Sequence, residues 1–139
     1  MIRDILLLLG AILVISCGSI HIFLTKSIIN GFDKMSEENK QITLMEWIVE
    51  GLTLYFIGIL VLIITFSGLS EEFVSKVFFG ASFILLLIMT ILSLMTVVHV
   101  RTGDLTLKPN IKKITSIHLK SCPIIKFTSG ILFLLGSFL

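Results

Sequence analysis

Two glutamates, Glu46 and Glu50, lie at the start of a long apolar run. Residues 45–66 read MEWIVEGLTLYFIGILVLIITF, and no charged residue follows Glu50 in that run. At about 3.6 residues per turn, the spacing of Glu46 and Glu50 puts both carboxyl groups on one face of a helix. Because an ionisable side chain inside a membrane span is costly, it is by default a hypothesis for a functional site.

The rest of the chain is just as apolar. Of its 139 residues, 55% are hydrophobic and 14% are charged, whereas soluble domains have about 45–50% and about 25%. The mean hydropathy is +1.09. The apolar residues fall into four blocks, each close to the ~20 residues that cross a bilayer, and in lipid such blocks must be helical. We therefore predict a single-domain, all-α integral membrane protein with four transmembrane helices in an antiparallel up-down bundle.

Local start and stop signals place the helices at about residues 4–25, 36–66, 71–100 and 122–139. Ser36 and Ser70 each precede two glutamates and are typical helix caps, and Gly68 is a typical helix stop. The short connection at Gly68 predicts that the second and third helices are antiparallel neighbours. The first block is expected to be retained as a span, because residues 1–4 lack the net positive charge of a signal peptide.

Residues 101–121 form a basic, half-apolar segment that we expect to lie along the lipid headgroups. The headgroup contacts would come from Lys108, Lys112, Lys113 and Lys120. Pro109 is expected to break this segment, whereas Pro123 is expected in the first turn of the fourth helix.

The distribution of basic residues predicts the orientation. Two basic residues, Arg3 and Lys76, lie on the side of the termini and the second loop. The other side carries eight, namely Lys26, Lys34, Lys40, Arg101, Lys108, Lys112, Lys113 and Lys120. The positive-inside rule then makes loops 1 and 3 cytoplasmic and puts both termini outside. The expected location is the plasma (inner) membrane of a prokaryote.

The predicted topology gathers the histidines and cysteines in the same leaflet as the acidic pair. Cys17-x-x-x-His21 and His118-x-x-x-Cys122 each put a thiol and an imidazole on one helical face, and together they could form the Cys2His2 set that zinc favours. Alternatively, His21 and His99 could hold a haem between two helices. The sequence requires neither cofactor.

Each of these residues also has a purely structural interpretation. Buried cysteines pack like small hydrophobic residues, and histidines near helix ends often lie among headgroups. Glu46 is close enough to the boundary to reach water, and Lys126 is expected to extend to the interface. Glu50 is one turn deeper. It must face protein, water or a partner such as His21, Arg101 or Lys126. Glu50 is either half of a buried acid–base pair that fixes helix packing or part of a binding or proton-carrying site.

Three functional hypotheses follow from the sequence. The first is a pocket in the bundle that binds a hydrophobic or amphipathic small molecule or a lipid, with its polar end around Glu50. Its other candidate residues are Glu46, Trp47, His21, His99 and Arg101. The second is a metal- or haem-binding membrane enzyme or electron carrier that uses the histidines and cysteines. The third is a non-catalytic subunit that grips a membrane partner or another copy of itself.

Some classes of function are disfavoured by the sequence. It has no glycine-rich phosphate loop, no Gly-x-Ser-x-Gly elbow and no His-Glu-x-x-His motif. The net charge is only +2, and the basic residues adjoin the predicted spans, so membrane lipids are expected partners and nucleic acid is not.

Overall fold

The described part of the chain consists of four long α-helices. In this computed structural model the described residues are 1–32, 36–101 and 109–139, with side chains for all of these except 96–101 and 109–115. The helices are α1 (Ile2–Ile29), α2 (Glu37–Phe66), α3 (Phe73–Arg101) and α4 (Pro109–Phe138). Each contains a segment long and apolar enough to cross a membrane. The predicted all-helical fold with four candidate spans is confirmed.

Helix α2 begins after Ser36 and ends before Gly68, as the predicted cap and stop residues indicate. The Ser36 side chain accepts a hydrogen bond from the backbone N–H of Asn39 at 3.3 Å, and Glu37 and Glu38 occupy the first turn, where the helix dipole favours acids. Beyond the other end, Gly68 has a φ of +70°. Only glycine adopts this left-handed conformation without strain, so it turns the chain there towards α3.

The predicted start of the fourth helix is wrong. The helix begins at Pro109, not near residue 122, because a proline suits the first helical position, where its missing N–H is not needed. Pro123 instead lies inside α4 and leaves the carbonyl of Leu119 without its helical N–H partner. From residue 109 onward the basic segment is therefore helical. Lys120 is exposed, whereas Lys108 and the side chains of Lys112 and Lys113 lie outside the described residues.

Helices α1 and α4 form the centre of the packing. Helix α1 packs against both α2 and α4, and α4 packs against α3, whereas α2 and α3 make only sparse contact. The prediction that α2 and α3 pack as neighbours is therefore wrong for most of their length. Between them lies a cleft of about 340 Å³, lined by Glu46, Val49, Glu50, Met89, Leu92 and Ser93.

Small residues allow α1 and α2 to approach closely. A Cβ atom on Gly18 would lie 2.8 Å from the carbonyl oxygen of Gly51, so the two backbones are in contact there. One residue along, the Ser19 hydroxyl and the Tyr55 hydroxyl are 2.6 Å apart. The Tyr55 hydroxyl thus forms a hydrogen bond with α1. Tyrosines of membrane proteins also commonly lie at the membrane–water interface. The two glycines directly follow Cys17 and Glu50 in the sequence.

The far end of the bundle is joined by an ion pair. Arg3 of α1 donates to the carboxylate of Glu71 at 2.7 Å, between α2 and α3. This hydrogen bond holds the pKa of Glu71 below its usual value. The pair is therefore intact above the ordinary pKa of a glutamate and is lost as the pH falls through the lowered value. Because Glu71 is exposed, the contribution to stability is small.

The contact between Gly18 and Gly51 predicts a specific sensitivity to an added methyl group. Gly18→Ala should lower the free energy of unfolding by about 1–3 kcal/mol, because the new Cβ overlaps a backbone atom that has little freedom to move. The matched control is Gly80→Ala, since a Cβ on Gly80 meets no atom within 4 Å. Detergent-solubilised protein titrated with SDS reports both values. Equal stability of the two variants would contradict the proposed backbone contact.

Candidate functional site

Three helices bring the polar residues of the bundle interior together at one place. The spacings Cys17–His21 on α1 and His118–Cys122 on α4 are one helical turn each, so each pair occupies a single face. All four of these side chains are buried. From α2, Trp47 and Glu50 reach the same place, where they line a small cavity with His21, His118 and Cys122.

The two thiols and one imidazole are in direct contact. Cys17 Sγ lies 3.0 Å from Cys122 Sγ, and Cys122 Sγ lies 2.8 Å from His21 Nε2. Both cysteines are free thiols. One donor atom from each of Cys17, His21 and Cys122 lies within 4.8 Å of the other two. Three of the four residues proposed as a zinc set therefore meet in the bundle interior.

His118, the fourth residue of that set, lies at the edge of the trio. Its ring centroid is 4.6 Å from that of His21, with the planes at 71°, and its side chain is only 7% exposed. The His118 Nε2 atom has no hydrogen-bond partner among the described residues. A buried polar nitrogen without a partner costs free energy, so this atom is available to a ligand.

Trp47 packs against both imidazoles. Its ring centroid lies 5.6 Å from that of His21 and 5.9 Å from that of His118. The expectation that histidines near helix ends lie among headgroups is therefore wrong for these two. His99 and Arg101 lie in the last turns of α3, but their side chains are outside the described residues.

A buried ion pair adjoins the thiol–imidazole trio. Lys126 is fully buried, and its Nζ donates to Glu50 Oε1 and, at 2.7 Å, to the Ser93 hydroxyl. The expectation that Lys126 extends to the interface is therefore wrong. Glu50 Oε2 lies 3.8 Å from His21 Nδ1, which is too long for a hydrogen bond. His21 Nδ1 is therefore a second buried nitrogen without a hydrogen-bond partner among the described residues.

Glu46 and Glu50 have different environments, as their depths predicted. Glu46 is exposed and lines the cleft between α2 and α3. Glu50 is partly buried, with its side chain 24% exposed, and contacts both α1 and α4. Lys126 was considered as a partner of Glu50 but was not predicted as a site residue, although it follows Cys122 by one helical turn. Ser93 was not predicted, and nothing distinguishes it from the other serines.

The cavity inside the site is small and polar. Its volume is about 40 Å³ and its lining includes Glu50, Ser93 and His118. This volume holds an ion or a few waters, since one water needs about 10–15 Å³ on this kind of measure. Drug-sized ligands occupy pockets of about 300–1,000 Å³. The arrangement therefore suits an ion or a small inorganic group between the three helices.

The pairing of Lys126 with Glu50 predicts a double-mutant signature. Lys126→Met should lower the free energy of unfolding by about 2–4 kcal/mol, because it leaves the Glu50 carboxylate partly buried without a counter-charge. Adding Glu50→Leu should recover much of this loss, since the pair is then replaced by apolar side chains. SDS titration of the single and double variants measures the coupling. Lys76→Met, at an exposed position of α3, is the control and should be near neutral. Additive effects of the two substitutions would contradict the pairing.

Comparisons of the chain with models of protein families, with curated proteins and with solved structures return no match. The geometry of the site is therefore the basis for proposing a function.

Proposed function

We propose that this chain is a membrane protein that binds one transition-metal ion of the zinc class at Cys17, His21 and Cys122, with His118 as the fourth ligand. The observation that carries the proposal is the meeting of three donor atoms, all within 4.8 Å of one another, from residues that are buried. Thiolate and imidazole are the ligand types that zinc prefers in closed, four-coordinate sites.

Three of the four donor atoms need only a small adjustment to hold a tetrahedral ion, and His118 would have to move closer to complete the set. With Zn–S bonds of about 2.3 Å and Zn–N bonds of about 2.1 Å, donor atoms in a tetrahedron are roughly 3.6–3.8 Å apart. The observed separations are 3.0 Å between the two sulfurs and 2.8 Å between Cys122 Sγ and His21 Nε2. The atoms would move outward by less than about 1 Å to accept the ion.

Charge also supports the proposal. Two thiolates neutralise a divalent ion, and the Glu50–Lys126 pair is itself neutral, so the whole cluster would carry no net charge. This matters because an uncompensated charge in a low-dielectric interior is costly. Glu50 lies on the Nδ1 side of His21, where a carboxylate commonly orients a metal-binding imidazole and raises its basicity.

The other functional hypotheses receive less support from this site. A cavity of about 40 Å³ beside His21 is far smaller than a porphyrin or an amphipathic ligand requires. Glu50, expected to mark the polar end of a ligand pocket, already has Lys126 as its partner. The cleft of about 340 Å³ between α2 and α3 is large enough for a small molecule and makes ligand binding there the second candidate.

We further propose that the four helices cross the plasma membrane as an antiparallel bundle. The contacts between Gly18 and Gly51, and between Ile15 and Gly58, support opposite directions for α1 and α2. The excess of basic residues in loops 1 and 3 supports a cytoplasmic location for those loops. The metal site would then lie in the cytoplasmic leaflet, where thiols are kept reduced.

Metal analysis tests the proposed site directly. Purified protein should contain about one zinc ion per chain, and cobalt substitution should give the absorption of a thiolate-ligated ion. Cys17→Ser, Cys122→Ser and His21→Ala should each abolish stoichiometric binding. Glu50→Gln should weaken the affinity by about 10–100-fold, because it removes the carboxylate beside His21 but no metal ligand. It also removes the counter-charge of Lys126, so its fold is checked by circular dichroism as well.

The matched control is Ser16→Ala, beside Cys17 in sequence but exposed, which should keep full metal content. Circular dichroism distinguishes loss of the metal from loss of the fold. A well-folded wild-type protein that neither contains nor takes up zinc or cobalt would refute the proposal, as would retention of the ion by Cys122→Ser.

Single-cysteine labelling tests the orientation. In intact cells a membrane-impermeant maleimide should label Glu72→Cys, near the second loop, and should not label Glu38→Cys, near the first. Both positions are exposed, whereas the native cysteines are buried, so each new thiol supplies the signal. Labelling should become equal after the cells are opened. Labelling of Glu38→Cys alone from outside would reverse the assignment.

A further inference from the structure

A second cavity reaches the two thiols from another side. It lies between α1 and α4, has a volume of about 320 Å³ and has a mostly apolar lining. The lining includes Cys17, Ile20, Ile117, His118, Cys122 and Ile125. Both cysteines therefore line a cavity large enough for a small ring compound, in addition to facing the imidazole of His21.

The two thiols are close enough to form a disulfide. Their sulfur atoms are 3.0 Å apart, and a disulfide bond requires about 2.05 Å. The thiols come from α1 and α4, which pack directly against each other, so closing the bond calls for a sulfur displacement of about 1 Å. The pair is therefore a dithiol that can be oxidised without separating the helices.

Oxidation of this dithiol requires an acceptor of defined chemistry. Two S–H bonds break and one S–S bond forms, which releases two electrons and two protons. An acceptor that reaches the sulfurs through an apolar cavity in the bilayer must be lipid-soluble and must accept two electrons. Quinones meet both requirements, and they also take up the two protons as their two carbonyl oxygens become the hydroxyl groups of a quinol.

We propose that Cys17 and Cys122 form a redox-active dithiol that reduces a membrane quinone seated in the cavity between α1 and α4. In the reaction the two thiols become a disulfide, and the quinone becomes a quinol. The inference rests on the bilayer placement proposed above but not on the metal, because the reacting form is the metal-free dithiol.

The polar groups of the cavity match a quinone ring. His118 lines it, is more than nine-tenths buried, and has an Nε2 atom without a hydrogen-bond partner among the described residues. Ser121 lines the same cavity. These groups can hydrogen-bond a quinone carbonyl, while Ile20, Ile117 and Ile125 contact the faces of the ring. A purely apolar acyl chain would leave the His118 nitrogen without a partner.

The test uses the full chain, reduced, freed of metal with a chelator and placed in lipid nanodiscs. Decylubiquinone is added without oxygen, quinol formation is followed by ultraviolet absorbance, and free thiols are counted by the gel shift of a maleimide-polyethylene glycol. We expect about one quinol per chain and loss of both thiols, as the two-electron balance requires. Cys17→Ser and Cys122→Ser should each form no quinol.

A pair of neighbouring substitutions tests the cavity. Ile125→Trp fills the cavity and should slow quinone reduction by about tenfold or more, since displacing a reactant by about 1 Å has effects of this size. Ile124→Trp is the control, because Ile124 is 66% exposed and does not line the cavity. Diamide, a small water-soluble oxidant, should form the disulfide at similar rates in both variants.

The two oxidants and the two tryptophan variants test the acceptor, the dithiol and the cavity separately. Disulfide formation with diamide but not with the quinone would overturn the quinone as acceptor, and no disulfide with either oxidant would overturn the dithiol itself. Equal quinone rates in Ile125→Trp and Ile124→Trp would overturn the cavity as the docking site. Zinc content measured before chelation reports on the metal proposal separately.

Discussion

The ion pair between Lys126 and Glu50 is the interaction on which the arrangement of this bundle depends. A fully buried ammonium group is tolerated only with a counter-charge and further hydrogen bonds, and Lys126 obtains these from α2 and α3. Both helices are thereby tied to α4, although α2 and α3 make only sparse contact with each other. With Lys126 directed inward, Cys122 and His118, one and two turns earlier on α4, are directed to the same interior.

Helix α1 supplies the other half of the site. Its close contact with α2 at Gly18 and Gly51 sets the depth at which Cys17 and His21 meet Trp47 and Glu50. The position of the thiol–imidazole trio thus follows from two constraints, a backbone contact that needs glycine and a buried lysine that needs a counter-charge. Zinc binding and dithiol oxidation use the same sulfur atoms, so on our proposals the bound ion would protect the dithiol and its loss would expose it.

Much of this arrangement could be predicted from the sequence, for reasons that particular residues make clear. Hydropathy and capping signals define the four helices, and the i, i+4 spacing of Cys17 with His21 and of His118 with Cys122 gave the correct faces. Periodicity does not tell which faces meet, so the pairing of Lys126 with Glu50 was only one of several possibilities and the cleft between α2 and α3 was not predicted. The start of α4 was missed because a proline ends one helix as readily as it begins another.

X-ray absorption at the zinc edge tests the central claim most directly, because it reports the atoms bound to the ion in the intact protein. We predict a four-coordinate site with two sulfur ligands at about 2.3 Å and two nitrogen ligands at about 2.0–2.1 Å. Removal of one cysteine should reduce the sulfur number to one. A spectrum with only nitrogen and oxygen ligands would place the ion elsewhere and contradict the account.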